Sequence, residues 1–194
     1  MKRLAIIIGF CLGLNACGNI APKNPLGPSV APTPGAYDCP ARYNFEGPLG
    51  LGGWVAPTWA GGFTTASLDG AHTACGLQAL KTHFQLNGTN QGVLLCALSQ
   101  GEDVTDRVVT ASIYYAVKPP SDLQLVIYFM DRSGNWRAPN GASHFGMRQG
   151  WNQISENFDI PGVDVSDVVE VIFQFSTLNG VAYAGDVWVD EVNW

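Results

Sequence analysis

Apolar and polar residues alternate in short segments that recur from residue 43 to the end of the chain. In the segment 123–130, every second residue from Leu123 onward is a large aliphatic or aromatic side chain. Turn-forming pairs such as Asp69-Gly70 and Asn87-Gly88 separate these segments. Side chains of a β-strand alternate between two faces, so each segment predicts a strand with one face in a core. The predicted strands are 43–46, 63–68, 78–86, 93–98, 107–117, 123–130, 152–158, 169–176 and 186–192.

Strands dominate this prediction, because no segment places apolar residues at helical spacing over ten or more residues. Eight or so strands at this spacing are typical of an all-β protein, either a β-sandwich or a jelly roll. The last two predicted strands flank a Gly-rich loop, which predicts a β-hairpin. The 194 residues allow one sizeable domain, which we expect to cover 37–194.

The N-terminal residues have the features of an export signal. Lys2 and Arg3 precede an apolar run, 4–14, that is too short for a membrane-spanning helix. The motif Leu14-Asn15-Ala16-Cys17 resembles the lipobox of bacterial lipoproteins. That resemblance implies a lipoprotein signal peptide over 1–16 and a lipid, including palmitate, on Cys17. The alternative is an ordinary secretory signal with a chance cysteine.

A proline-rich linker follows, over residues 17–36. Prolines at this density favour extended chain and exclude both helix and central strand. A multiply acylated N-terminus anchors a protein stably in a membrane. We therefore expect an exported domain that is tethered through its lipid anchor to the bacterial cell envelope, with the outer membrane favoured.

The charge of the chain restricts its partners. The formal net charge is −6, and removal of Lys2 and Arg3 with the signal peptide brings the mature chain near −8. An acidic protein cannot displace counterions from phosphates, so we expect no nucleic-acid partner. A neutral ligand or a divalent cation suits this domain better.

The cysteines fit an exported protein. Cys11 leaves with the signal peptide and Cys17 is used by the lipid, so Cys39, Cys75 and Cys96 remain. We expect one structural disulfide in an oxidising compartment, and the spacing does not say which two residues pair. Three free thiols are the alternative.

Known catalytic motifs are absent from the sequence, which contains neither G-x-S-x-G, nor H-E-x-x-H, nor a phosphate-binding glycine loop. A glycosidase would need two carboxylates across a cleft, and the acids here could be paired only arbitrarily. We therefore do not expect an enzyme, and a small glycan-active enzyme is the minor alternative.

Aromatic residues point to binding instead. Trp59 and Trp136 lie in Gly-, Pro- and Asn-rich loops, where an exposed indole favours stacking against an amphipathic ring such as a sugar. Folding of these indoles back over the core is the alternative. The polar-side positions of the predicted strands are rich in Tyr, Gln and Ser, which offer stacking and neutral hydrogen bonds. The candidate carbohydrate-binding residues are Trp59, His83, Tyr114, Tyr128, Trp136 and Gln174.

Several motifs, taken in order, resemble the jelly-roll carbohydrate-binding modules, notably those of family 11. The resemblance spans most of 42–194 and is carried by Tyr43-Asn44-Phe45-Glu46-Gly47, Gly53-Trp54, Gly76-Leu77-Gln78-Ala79-Leu80, Gly150-Trp151-Asn152-Gln153-Ile154, Ile172-Phe173-Gln174-Phe175 and Val187-Trp188-Val189-Asp190-Glu191-Val192. It implies a jelly-roll β-sandwich of two antiparallel sheets with a concave glycan-binding sheet. It also implies a structural Ca²⁺ near Glu46 and Asp190. The alternative is that backbone amides cap these two acids without a metal.

The sequence as a whole predicts a monomeric, envelope-anchored lipoprotein that binds a polysaccharide, of the β-glucan type, without cleaving it. The alternative is a structural or adhesion lipoprotein that docks a protein partner through the same β-sandwich. The two hypotheses differ in whether the outward tyrosines and tryptophans line one groove.

Overall fold

A computed structural model of the protein describes residues 39–46, 50–139 and 143–194, with the backbone alone for Ser99. The predicted signal peptide 1–16, the lipidation site Cys17 and the linker 17–36 lie outside the described residues. Within the described ranges, no helix is long and apolar enough to cross a membrane.

The described residues form eleven β-strands and one turn of 3₁₀ helix, η1, at Thr58–Ala60. The strands are β1 Trp54–Val55, β2 Ser67–Asp69, β3 Ala79–Leu86, β4 Gln91–Glu102, β5 Val108–Tyr115, β6 Leu123–Asp131, β7 Trp136–Arg137, β8 Ser143–His144, β9 Gly150–Asn157, β10 Val168–Thr177 and β11 Tyr183–Asn193.

Two antiparallel sheets pack against each other. We call one the front sheet, with strand order β1-β4-β10-β6-β7 and with β8 also paired to β6. The other is the back sheet, with strand order β2-β3-β11-β5-β9. This arrangement confirms the predicted all-β sandwich.

The core lies between the sheets and consists of the alternate residues that the sequence pattern predicts. On β6, the residues Leu123, Leu125, Ile127 and Phe129 are all fully buried. On β10, Val171, Phe173 and Phe175 meet them from the neighbouring strand. Burial of each such side chain contributes about 1.5–3 kcal/mol, so this layer supplies most of the stabilisation.

The predicted C-terminal hairpin is wrong. β10 pairs with β4 and β6 in the front sheet, whereas β11 pairs with β3 and β5 in the back sheet. The connection between them therefore crosses from one sheet to the other. The connection is only the five residues 178–182, a length that a hairpin could also use, so loop length alone does not decide whether consecutive strands pair.

The first predicted strands are also shorter than expected. The predicted strand 43–46 contributes a single bridge, Tyr43 to Val192, because Phe45 has a left-handed φ of 57° that ends the extended chain. The predicted strand 63–68 is reduced to β2 and one bridge between Phe63 and Phe84. Single backbone hydrogen bonds to β3, from Thr64 to His83 and from Gln85 to Gly62, replace a continuous ladder there.

A disulfide joins Cys39 and Cys75. It links the first described residue to the loop before β3, across a separation of 36 residues. By the chain-entropy argument, closing a loop of this length stabilises the fold by about 3–4 kcal/mol. Cys96 lies fully buried on β4.

Candidate functional site

The outward side chains of β4, β10 and β6 form one layer, which we call the front face. Val93, Val126 and Ile172 in this layer are at most 5% exposed, whereas Tyr128, Glu170 and Gln174 are partly exposed. The strand register arranges it in rows across the three strands. Ile172 lies between Leu95 and Tyr128, and Gln174 lies between Val93 and Val126. Glu170 lies between Ala97 and Met130. The front face is therefore built almost entirely from neutral side chains.

Three aromatic rings gather over this face. The ring centroids of Trp59 and Trp136 are 6.3 Å apart, in an edge-to-face arrangement. The ring of Tyr128 lies 6.0 Å from that of Trp136. Trp136 reaches the face because its strand pairs Trp136 with the outward residue Met130. We call Trp59, Tyr128 and Trp136 the aromatic cluster.

The exposure of the two tryptophans distinguishes the alternatives that the sequence leaves open. Trp59 is 64% exposed and Trp136 is 40% exposed, so neither indole is folded into the core. Both stand at the surface with ring area open to solvent. Exposed, adjacent indoles are costly to hydrate and are typical of surfaces that bind an amphipathic partner.

The loop that carries Trp59 is held in place by backbone contacts at its end. Gly61 has a left-handed φ of 72° and ends η1. The amide of Gly62 then donates a 2.9 Å hydrogen bond to the Gln91 carbonyl at the start of β4. A Cβ at Gly62 would lie 2.4 Å from the backbone of Gln91, so only glycine permits this approach. The indole is thus positioned before any ligand arrives.

Hydrogen-bonding groups lie beside the aromatic cluster. Gln124 on β6 donates to the Ser143 hydroxyl at 2.7 Å, which orients the amide at the edge of the face. Gln174 on β10 makes no side-chain hydrogen bond to any described residue, and it is only partly buried. A neutral amide with open donors and an open acceptor suits sugar hydroxyls.

Two of the six predicted carbohydrate-binding residues lie elsewhere. Tyr114 on β5 and His83 on β3 point outward from the back sheet. His72 stacks on Tyr114 with centroids 3.8 Å apart, and the Nδ1 atom of His83 lies 2.7 Å from an Asp186 carboxylate oxygen. A chain lying on the front face could not touch them. Alternation along a strand predicts which residues share a face, but it does not say which sheet the strand joins.

Glu46 and Asp190, the predicted calcium ligands, both bind the loop before β3. The Oε1 atom of Glu46 accepts hydrogen bonds from the amides of Leu77 and Gln78, each at 2.5 Å. Asp190 is fully buried, and its Oδ2 atom accepts from the amides of Ala74 and Cys75 at 2.8 and 3.1 Å. Burial raises the pKa of the Asp190 carboxyl, and these amide donors oppose that shift.

This donor set does not fit calcium. Ca²⁺ needs six to eight oxygen ligands, but here four backbone N–H groups point at one oxygen of each carboxylate. N–H dipoles directed into a site also repel a cation. Among the described residues, no group of three or more His, Cys, Asp or Glu side chains comes together. The arrangement matches the amide-capped alternative. Calcium binding at Glu46 and Asp190 stays a prediction.

The fold of this chain is similar to that of several solved structures. A family 28 carbohydrate-binding module, specific for non-crystalline cellulose, is 18% identical and superposes with a TM-score of 0.62 over 78% of this chain and 91% of its own. The fold is that of the β-sandwich carbohydrate-binding modules. A Clostridium thermocellum family 11 module in complex with a β-1,3-1,4-mixed-linked tetrasaccharide is 14% identical, with a TM-score of 0.50 over 77% and 90% of the two chains.

Another similar structure is a carbohydrate-binding module of the β-sandwich superfamily with promiscuous specificity. It is 19% identical, with a TM-score of 0.56 over 80% of this chain and 61% of its own. No protein-family model and no curated protein matches the sequence. The resemblance to family 11 modules is thus confirmed at the level of fold.

One residue of the front face was missed by the sequence analysis. Glu170 shares the parity of Gln174 along β10, and its position in the same alternating run was the available signal. A carboxylate on an otherwise neutral face stands out only once the register shows that its neighbours, Ala97 and Met130, are apolar.

Proposed function

We propose that this chain is a carbohydrate-binding module that holds a polysaccharide on its front face without cleaving it. The observation that carries this proposal is the aromatic cluster, in which exposed rings stand together over a neutral sheet face. Sugar rings present apolar C–H faces that pack on aromatic rings, while their hydroxyls hydrogen-bond to side chains such as Gln174.

The polysaccharide is a β-glucan-like chain. Support comes from the fold neighbours, one specific for non-crystalline cellulose and one bound to a mixed-linked tetrasaccharide. An extended sheet face suits a single hydrated chain better than a crystalline surface, because the rings lie at an angle to one another rather than in one plane. Affinity is modest, since each contact replaces water contacts of similar strength.

The domain acts as a monomer held at the cell envelope. Support comes from the lipobox-like motif that ends at Cys17 and from the proline-rich linker, 17–36, that follows it. Metabolic labelling with a palmitate analogue tests this part directly. Wild-type protein is expected to incorporate the label, and C17S is expected not to.

Binding is tested with the domain from residue 37 onward, by affinity electrophoresis and calorimetry over mixed-linked β-glucan, amorphous cellulose and xylan. We expect retardation by at least one glucan. The matched control for the variant W59A is L77A. Leu77 has the same 64% exposure as Trp59, but it lies in the loop that Glu46 binds. Absence of binding to every polysaccharide would contradict the proposal and favour the protein-docking alternative.

A further inference from the structure

Glu170 is an isolated carboxylate within the front face. Its row runs from Ala97 on β4 through Glu170 to Met130 on β6, and Met130 pairs in turn with Trp136 on β7. Glu170 is the one charged side chain among the outward residues of 91–97, 124–130 and 170–176. It therefore lies two positions along a row from an exposed indole of the aromatic cluster.

No described residue donates a hydrogen bond to this carboxylate or forms an ion pair with it. The nearby charged groups are already engaged. Asp131 accepts from Asn135, Glu102 accepts from Arg42 and Trp194, and Arg132 pairs with Asp167. Arg137 neighbours Trp136 on β7, but it pairs with Phe129 and so has the opposite parity.

A half-buried carboxylate without a partner is unfavourable for folding. Burial alone raises the pKa of the Glu170 carboxyl above its ordinary value, which shows that the surroundings do not compensate the charge. Glutamine would fit the same space without this penalty. Uncompensated acids of this kind concentrate at functional sites, where a ligand supplies the missing donors.

We propose that the Glu170 carboxylate accepts hydrogen bonds from adjacent hydroxyls of a sugar ring that packs against Trp136, and that its charge selects neutral glycans over acidic ones. This inference rests on the proposed function. Two carboxylate oxygens can accept from two neighbouring hydroxyls at once, and charge-assisted bonds are roughly twice as strong as neutral ones. A uronic acid or sulfated sugar would bring a second negative charge to the same place.

The variant E170Q tests this inference, with D159N as a control that removes one negative charge from an exposed loop away from the front face. Affinity is measured for mixed-linked β-glucan and for polygalacturonate. We expect E170Q to lose about tenfold in affinity for the glucan, because a charge-assisted hydrogen bond is lost. The discrimination against polygalacturonate should shrink, and D159N should behave as wild type.

The pH dependence gives a second measurement. Glucan affinity of the wild type should fall as pH drops through the raised pKa of Glu170, because the protonated acid loses acceptor capacity. E170Q should show no such step. Arg137 and Asp131, the charged groups nearest to this row, are unchanged in both proteins.

The outcomes separate this inference from the proposed function. Unchanged glucan affinity in E170Q, together with lost affinity in W136A, overturns the role of Glu170 and leaves the proposed function intact. Absence of glucan binding by the wild type overturns both. Thermal unfolding of E170Q shows whether it folds, and a lowered melting temperature would indicate a structural acid and contradict the inference.

Discussion

The outer faces of the two sheets both carry aromatic rings, but these rings differ in exposure and in their partners. On the front face, the rings of Trp59 and Trp136 are open to solvent, and Gln174 and Glu170 have no partners among the described residues. On the back face, the indole of Trp188 is only 4% exposed and donates a 2.8 Å hydrogen bond to Asp69. Both faces carry aromatic rings, but the back face also carries paired charges such as Lys81 and Asp186, and its rings are less exposed.

The back face is closed by its own contacts. His72 stacks on Tyr114 and meets the edge of Trp188, while the Lys81 ammonium lies 4.8 Å from the centre of the Trp188 ring. Lys81 also pairs with Asp186 at 3.1 Å. Every ring there already has a neighbour that supplies packing or charge. Such a face contributes stability, whereas the front face retains unsatisfied groups for a ligand.

The largest expected effect on stability comes from removing the buried indole of Trp188. W188A should lower the free energy of unfolding by about 3–5 kcal/mol, because it leaves a cavity and removes the indole hydrogen bond to Asp69. Denaturant unfolding measures the loss. Glucan affinity of the folded fraction should be unchanged. A weaker glucan affinity in folded W188A would show that the two faces are not separate in function.

Reduction of the Cys39–Cys75 disulfide should have the next largest effect. C39S/C75S is expected to lose about 2–5 kcal/mol of stability, because the unfolded chain regains its loop entropy. Thermal unfolding measures this loss. Front-face binding at temperatures well below unfolding should persist, since the disulfide lies at the loop that Glu46 and Asp190 bind.

Removal of the exposed indoles of Trp59 and Trp136 should weaken glucan binding and leave the stability nearly unchanged. W59A and W136A should each weaken glucan binding by about 1–2 kcal/mol, which is roughly tenfold, because each loses a stacking surface. Their melting temperatures should stay near that of the wild type, since neither ring is buried in the core. Calorimetry and thermal unfolding on the same samples provide the comparison. A large loss of stability with intact binding would indicate that these rings cover the core and do not bind the glucan.

Acids on the two faces should respond to pH with opposite signs. The hydrogen bond to His83 holds the pKa of Asp186 below its ordinary value, with Lys81 adding to this effect, so its ionised form stabilises the fold. That stabilisation is present above the unfolded pKa and is lost as pH falls through the folded pKa. The pKa of Glu170 is raised by burial, so its ionised form destabilises the fold as pH rises.

Melting temperatures of D186N and E170Q, measured from about pH 3 to pH 8, test this contrast. At neutral pH, D186N should melt below the wild type and E170Q at or above it. Both differences should shrink in acid, where the carboxyls of the wild type are protonated. Shifts of the same sign in both variants would contradict the assignment of the two faces.

The smallest effect expected is that of calcium. Because amides occupy the carboxylates of Glu46 and Asp190, chelation and added Ca²⁺ should leave the melting temperature unchanged. Differential scanning calorimetry in EDTA and in millimolar Ca²⁺ measures this. A rise on adding calcium would support the metal site that the family resemblance implies, and it would show that the loop before β3 rearranges to bind the ion.

Alternation along the chain predicted the long strands and the residues on their core side, but it overestimated the segments 43–46 and 63–68. Leu123 to Phe129 and Val171 to Phe175 lie in the core as their spacing indicates. The same alternation placed Tyr128 and Gln174 on an outward surface. These properties are local, because successive side chains of any strand point to opposite sides.

Only the tertiary structure decided which strands share a sheet. β10 and β11 follow each other in sequence but lie in opposite sheets, and this separates Gln174 from Tyr114 and His83. Backbone hydrogen bonds are the same for every residue type, so they do not encode a strand's partner. The pairing follows from packing of the whole core, which brought Trp59, Tyr128 and Trp136 together and left Glu170 beside them.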